Sequence, residues 1–424
     1  MSLEPGSFAS KVIPFALAAL LPLIAQAQTA KPEQAGLSQA RLQRVGELVE
    51  RNIKAGEVTG AVTLVARNGR IVFLQAQGES SLETKTPMQK DTIFRIASMT
   101  KPVTGVAILM LVEEGKIRLT DPISKFIPAF KDLKVSVTRP QAPALALPAP
   151  GAAPLPPQTF LVPADREMTI LDALTHTSGI MSGPASIAAG RALEDSRQQT
   201  GLNWTESLGT VPLEFQPGSR WAYSARAGFD TLAHIVEIVS GQNFNEFTQQ
   251  RIFKPLGMRE TFFWPTSAQR ARLVGSYTKT AKGLTPRKNP DQLSSEVYFS
   301  GSGGLMSTAE SYARFGMMLA NGGELDGVRI LSPRSVELMG SAFIPDTLPG
   351  RSPGEGYGLS VRVVTDPVAR ITTLSKGSFG WSGAFGTHFF VDPSKKLVGI
   401  LMIQTPANEM RGDFEDAVMQ AVGE

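Results

Sequence analysis

The sequence predicts an α+β fold, with one antiparallel sheet flanked by helices and interrupted by a mainly helical second domain. Three observations carry that prediction. Two strand-like runs, residues 61–66 and 71–76, flank Asn68-Gly69, the strongest short hairpin signal. Four further strand-like runs, residues 357–364, 371–374, 386–391 and 397–404, crowd the C-terminal part of the chain. Between these two groups lies a long stretch with helical patterns. Joining the early hairpin to the late strands closes one sheet around that middle. The 424 residues are roughly two to three typical domain lengths, enough for both parts.

The elements follow in order. Residues 12–25 are apolar, preceded by Lys11 and followed by Ala25-Gln26-Ala27, the pattern of a secretory leader cut after Ala27. Residues 1–27 are therefore expected to be removed, which implies a periplasmic or secreted protein, with a cytoplasmic one as the alternative. Ser38 can cap a helix whose apolar positions Leu42, Val45, Leu48, Val49 and Ile53 keep helical spacing. After Pro102 the residues Val103, Val106, Ala107, Leu109, Met110, Leu111 and Val112 are apolar nearly all round, so this helix is expected to be buried. Gly115 stands where its C-terminal cap should be.

Residues 140–163 hold eight prolines, six alanines and no charge, and read as an extended insert or interdomain connection. Residues 171–175 and 230–239 read as helices. Ser307-Thr308-Ala309-Glu310 reads as a capping box opening another. Asp392-Pro393-Ser394-Lys395 makes a turn between the last two strands, and a helix runs from Asn408. The expected layout is a leader at 1–27, a first sheet part at 28–115, a mainly helical domain at 116–300 and a second sheet part at 301–424.

Composition excludes several functions. Hydrophobic residues make up 42% and charged residues 19%, which suits a globular chain with a sizeable core. No cysteine is present, which removes thiolate metal sites, iron–sulfur clusters and a cysteine nucleophile. The three histidines, His176, His234 and His388, are too few for a multi-histidine metal centre, and neither metal nor cofactor is expected. A net charge of +4 without a Lys/Arg run speaks against nucleic acid as a partner. No run reaches the ~20 apolar residues of a stable membrane span.

Phe94-Arg95-Ile96-Ala97-Ser98-Met99-Thr100-Lys101-Pro102 is the most informative segment. Ser98 and Lys101, three residues apart at a helix start, share one face. A serine hydroxyl needs an adjacent base to become a nucleophile, and a lysine can be that base. The bland reading is a helix cap followed by a solvated lysine. Tyr223, in Trp221-Ala222-Tyr223-Ser224 after Pro217-Gly218, could relay a proton beside that lysine, or be a half-buried tyrosine with its hydroxyl satisfied. Gly380-Trp381-Ser382-Gly383-Ala384 is small enough to bring a strand backbone close to a ligand and aim an N–H at an oxyanion. Its bland reading is a bulge. A Ser-His-Asp triad would need a histidine. His176 reads as structural and His234 as a core residue, while His388 lies near the proposed site.

Together with Leu174-Thr175-His176-Thr177-Ser178-Gly179 and Gly303-Gly304-Leu305, these segments resemble the serine hydrolases of the β-lactamase and penicillin-binding protein superfamily. Within it they are most similar to the family VIII carboxylesterases, relatives of class C β-lactamases. The resemblance runs from about Gly36 to the C-terminus without the proline-rich insert. It implies a β-lactamase-like fold, with Ser98 as nucleophile and Lys101 and Tyr223 as the acid/base pair. It also implies an oxyanion hole from the amides of Ser98 and Ala384, and substrate contacts from Trp381, Ser382 and Gly383. The implied reaction is hydrolysis of short-acyl carboxylic esters through an acyl-enzyme on Ser98, with β-lactams open as side substrates. Two departures matter. The lactamase Tyr-x-Asn becomes Tyr223-Ser224-Ala225, and the lactamase Lys-Thr-Gly becomes Trp381-Ser382-Gly383. Both suggest a neutral, aromatic-lined pocket, with Lys376 as a distant substitute cation. The competing readings are a β-lactamase or D-alanyl-D-alanine peptidase, and a non-catalytic ligand sensor on the same fold.

Overall fold

The computed structural model describes residue 2 and residues 30–139, 158–191, 193, 201–291 and 294–423. The leader-like stretch, residue 2 aside, and most of the proline-rich insert lie outside the described residues. The elements used below are α1 (Gln39–Lys54), β1 (Gly60–Arg67), β2 (Arg70–Ser81), β3 (Thr86–Pro87), α2 (Thr100–Glu113), α3 (Ile170–Leu174), α4 (Ala227–Ser240) and α5 (Ala309–Ala320). They continue with β4 (Glu355–Tyr357), β5 (Arg362–Val364), β6 (Phe379–Ser382), β7 (His388–Asp392), β8 (Leu397–Met402) and α6 (Asn408–Met419).

The early hairpin and the late strands do form one sheet. Its order is β4-β5-β6-β7-β8-β1-β2-β3, antiparallel throughout, and Leu64 of β1 pairs with Ile400 of β8. Asn68 and Gly69 take φ of 53° and 73°, the left-handed pair that a tight two-residue hairpin turn demands. The sheet is covered on both sides. Leu397 and Leu401 face α1 and α6 in a cluster with Leu42, Val45, Phe414 and Val418. The alternate residues Val398, Ile400 and Met402 face the opposite way, into the main core with α2 and α5.

Helix α2 is buried from Thr100 to Leu111, as its all-round apolar pattern requires, and Gly115 takes φ 70° just past its end. Cutting fully buried Ile108 or Leu111 to Ala would cost about 2–5 kcal/mol, because so closed a site collapses poorly. Ser38 caps α1 by accepting from the Arg41 amide.

Four local expectations are corrected. Residues 371–374 are not a strand. Asp366 caps a short helix, Pro367–Arg370, by accepting from the Val368 and Ala369 amides, and Ile371 is then 92% exposed. Residues 357–364 are not one strand but the end of β4, a turn with Ser360 at φ 75°, and β5. The capping box at 307–310 does not form. Thr308 is the cap, accepting from Ser311 N, while Ser307 lies in a short strand and bonds Thr261. The end of the proline-rich insert, Gln158–Pro163, is a strand paired with Lys134–Arg139, so the chain leaves and re-enters at neighbouring positions, as an insert does and an interdomain connection does not.

Candidate active site

Ser98 stands on a 3-10 turn, Ala97–Met99, that runs directly into α2, so the rigid buried helix fixes both Ser98 and Lys101. Ala97 takes φ 43°, a left-handed conformation that costs a non-glycine residue on the order of 1–3 kcal/mol. The residue that follows it, Ser98, lines the cleft. Lys101 has no exposed surface. Its ammonium nitrogen lies 3.1 Å from Ser98 Oγ and 2.8 Å from each of the carbonyl oxygens of Ala225 and Ser302. Tyr223 donates its hydroxyl to Ser98 Oγ at 2.8 Å. The three residues predicted for catalysis are therefore in mutual contact.

This set of partners accommodates proton movement. Two carbonyls can only accept, so they fix two of the Nζ hydrogens. The third position on Nζ faces Ser98, as an N–H donor or as a lone pair that receives the serine proton. The Ala225 position contributes through its backbone carbonyl, whatever its side chain. The Ser302 carbonyl is held by Asp230, whose Oδ1 accepts from Ser302 N at 2.9 Å and from Ser300 Oγ at 2.8 Å.

His176 is structural, as expected, but it sits at the heart of the site. Its ring is packed by Tyr223, Phe229, Tyr357, Trp221 and Trp381, at centroid distances between 4.7 and 6.3 Å. Its Nδ1 accepts from Ser224 N at 3.2 Å, and its carbonyl accepts from Ala222 N, which pins the backbone on both sides of Tyr223. Burial, helped by the Lys101 charge, holds its imidazole well below the ordinary value near 6.5. Burial likewise pushes the Tyr357 hydroxyl well above the ordinary tyrosine range. His234 is the expected core histidine, with Nδ1 3.1 Å from Glu237.

The third predicted segment borders the same cleft, of ≈ 290 Å³, which Ser98, Tyr223, Trp381, Ser382, Gly383 and Ala384 line together. Gly383 has a steric reason. A Cβ there would collide with the Ile96 carbonyl, so only glycine lets β6 lie against the segment that leads into Ser98. Trp381 packs on Tyr223 at 5.5 Å and on Tyr357 at 5.3 Å, so its indole forms one wall with these two rings.

The expectation of a neutral pocket is corrected. Arg362, Arg411 and Glu355 also line the cleft. Lys376 is exposed in the turn before β6 and is not among the lining residues. Behind the cleft, Glu415 of α6 sits 3.1 Å from Arg362 and 3.6 Å from Arg370, and receives His388 Nε2 at 3.0 Å. Burial alone would raise its carboxyl; the His388 hydrogen bond and the arginines outweigh this and hold it at about 2. Sequence reasoning missed this cluster. Its one visible signal is the i, i+4 pair Arg411 and Glu415, which fixes a helix face without naming the strands it meets. Sequence reasoning also misses Gly350-Arg351-Ser352-Pro353-Gly354, which has the G-x-S-x-G spacing of an ordinary esterase elbow. Ser352 lies exposed in the loop before β4 rather than on a strand-to-helix turn, so it carries no nucleophile.

The family model for Beta-lactamase matches residues 45–424. Protein Rv1367c of Mycobacterium tuberculosis (strain ATCC 25618 / H37Rv) is 35% identical over 367 residues, covering 82% of this chain and 86% of its own. Esterase EstB of Burkholderia gladioli is 28% identical over 417 residues, covering 89% and 94%. Among solved structures, EstCE1, described as a hydrolase with promiscuous acyltransferase activity, superposes with a TM-score of 0.73 at 24% identity, covering 90% and 99%. With the match spanning nearly all the described residues and the serine–lysine–tyrosine contacts in place, the chain belongs to the beta-lactamase family.

Proposed function

We propose that this protein is a serine carboxylesterase that hydrolyses short-acyl esters through an acyl-enzyme on Ser98. The observation that carries the reading is the double contact of Ser98 Oγ, with Lys101 Nζ at 3.1 Å and Tyr223 Oη at 2.8 Å. Lys101 and Tyr223 take the serine proton as Oγ attacks the ester carbonyl. The amides of Ser98 and Ala384, both at the cleft, receive the developing oxyanion. The same pair returns the proton to the leaving alcohol. Water then releases the acid. No step calls for a metal or cofactor.

The esterase relative EstB supports the choice of an ester over a lactam or peptide. So does Trp381, an indole where the lactamase motif has lysine, because it presents an apolar face to a neutral acyl group. The leader-like residues 12–27 support a periplasmic or secreted location, which N-terminal sequencing of the mature protein would check. The activity is tested by a panel of p-nitrophenyl esters of increasing chain length beside a chromogenic cephalosporin. The expected result is a higher kcat/KM for short esters than for the cephalosporin. A higher value for the cephalosporin than for every ester would overturn the reading in favour of a β-lactamase.

A further inference from the structure

A second serine lines the cleft. Ser382 ends β6 and is the register partner of His388 on β7, so both side chains leave the same face of the sheet. Ser382 Oγ lies 2.9 Å from His388 Nδ1, and His388 Nε2 lies 3.0 Å from Glu415 Oε1. His388 has no exposed surface and the Glu415 side chain only 4%. Arg362 and Arg370 keep Glu415 ionised, so it can only accept a hydrogen bond. That fixes the tautomer. Nε2 carries the hydrogen, Nδ1 of the neutral ring is an acceptor, and Ser382 must donate its hydroxyl inward. The oxygen lone pairs of Ser382 remain for the cleft that it shares with Ser98 and Tyr223.

A hydroxyl, an imidazole and a buried carboxylate in this order are the parts that let a serine pass a proton inward. They lie apart from the Lys101 network, whose three Nζ positions are committed to Ser98 and two carbonyls. We infer that Ser382, His388 and Glu415 form a second proton relay, in which Ser382 accepts the proton of the water or alcohol that attacks the Ser98 acyl-enzyme. The inference rests on the acyl-enzyme reading above. Ser382 is the catalytic residue of the relay; His388 and Glu415 act through it.

The step balances. The attacking oxygen bonds to the acyl carbon while its proton moves to Ser382 Oγ and the Ser382 proton moves to His388 Nδ1. Collapse breaks the bond from the acyl carbon to Ser98 Oγ, and the imidazolium, stabilised by Glu415, returns its proton through Ser382 to the departing Ser98 oxygen. The site ends as it began. The charged groups around the ring are Glu415 and Arg411 of α6, Arg362 of β5 and Arg370 of the short helix after it. Glu355 of β4 lies 3.6 Å from Arg362 and 3.4 Å from Arg370. Burial holds His388 below its ordinary value, so the ring stays an acceptor at neutral pH and loses that role when acid protonates it.

Rapid-quench kinetics with p-nitrophenyl acetate separates the two half-reactions. In Ser382→Ala, deacylation should fall about 10²-fold and by more than acylation does, so that the acyl-enzyme accumulates. The acid limb of the deacylation pH profile should disappear in the same variant, and Ser382→Thr should restore both. His388→Gln should match Ser382→Ala. If that buried change prevents folding, Ser382→Ala, which removes one half-buried oxygen, decides alone. Unchanged deacylation in Ser382→Ala, or a rise in KM with both rates unaltered, would overturn the relay and leave Ser98 in place. No acyl group on Ser98 in the wild type would overturn the acyl-enzyme reading instead.

Discussion

Two serines share one cleft, and they are served in opposite ways. Ser98 meets a lysine whose position is set by backbone carbonyls, three residues along the same turn and helix. Ser382 meets a histidine whose position is set by a carboxylate, and the three groups come from β6, β7 and α6. The first network is local, and its lysine is buried on a helix that the sequence makes apolar nearly all round. The second depends on strand register and on the docking of the C-terminal helix against the sheet. The difference teaches which chemistry can be read along a chain and which has to be folded before it exists.

The comparison breaks most visibly at the nucleophile. Ser98→Ala should lower kcat for esters by on the order of 10⁵–10⁶-fold with an unchanged melting temperature, since one hydroxyl contributes little packing. Activity within tenfold of wild type would hand the nucleophile's role to the other serine. Next in size are the partners of Ser98. Lys101→Ala and Tyr223→Phe should each cost about 10²–10⁴-fold in kcat, and the double variant should be little worse than the poorer single one. Clean multiplication of the two losses would show that they act independently.

The second network is sharpened by stability rather than rate. Glu415→Gln leaves Arg362 and Arg370 facing a neutral amide in a nearly closed site. Breaking a buried pair of this kind costs about 3–5 kcal/mol, readable by urea unfolding. A loss below about 1 kcal/mol would mean that the cluster is solvent-screened and holds nothing in register.

The smallest effect is the pH slope. His176 and His388 have folded-state values lowered below 6.5, so unfolding takes up protons as pH falls through that value, and stability declines from there toward acid. Glu415 is lowered from 4.5 to about 2, so its contribution is present above 4.5 and is lost as pH falls toward 2. Unfolding free energy should therefore fall between about pH 7 and pH 5, and continue to fall below pH 4.5. His388→Gln should flatten the upper part of the slope. A flat profile in the wild type would contradict the buried neutral imidazoles.

The hairpin at Asn68-Gly69, the cap at Ser38, the buried helix after Pro102 and the trio of Ser98, Lys101 and Tyr223 were legible because each is a short-range pattern. What was not legible follows a common cause. Residues 371–374 look like a strand by composition, but the Asp366 cap starts a helix just before them. Trp381 suggests an apolar pocket, yet Arg362 and Arg411 reach the same cleft from elements distant in sequence. The sequence puts His388 near the site, but its partners follow only from the Ser382–His388 register and the approach of α6. The proline-rich segment reads as extended, and its end is, although its pairing with Lys134–Arg139 is a fact of the fold.

The division of labour between the two serines is tested most directly by trapping the intermediate. Wild-type enzyme mixed with p-nitrophenyl acetate, quenched in acid during the burst and digested, should carry the acetyl group on the peptide holding Ser98. Fragmentation should localise it to that side chain, and Ser98→Ala should carry none. An acetyl group on Ser382, or ester turnover with no acylated serine at all, would contradict the account at its centre.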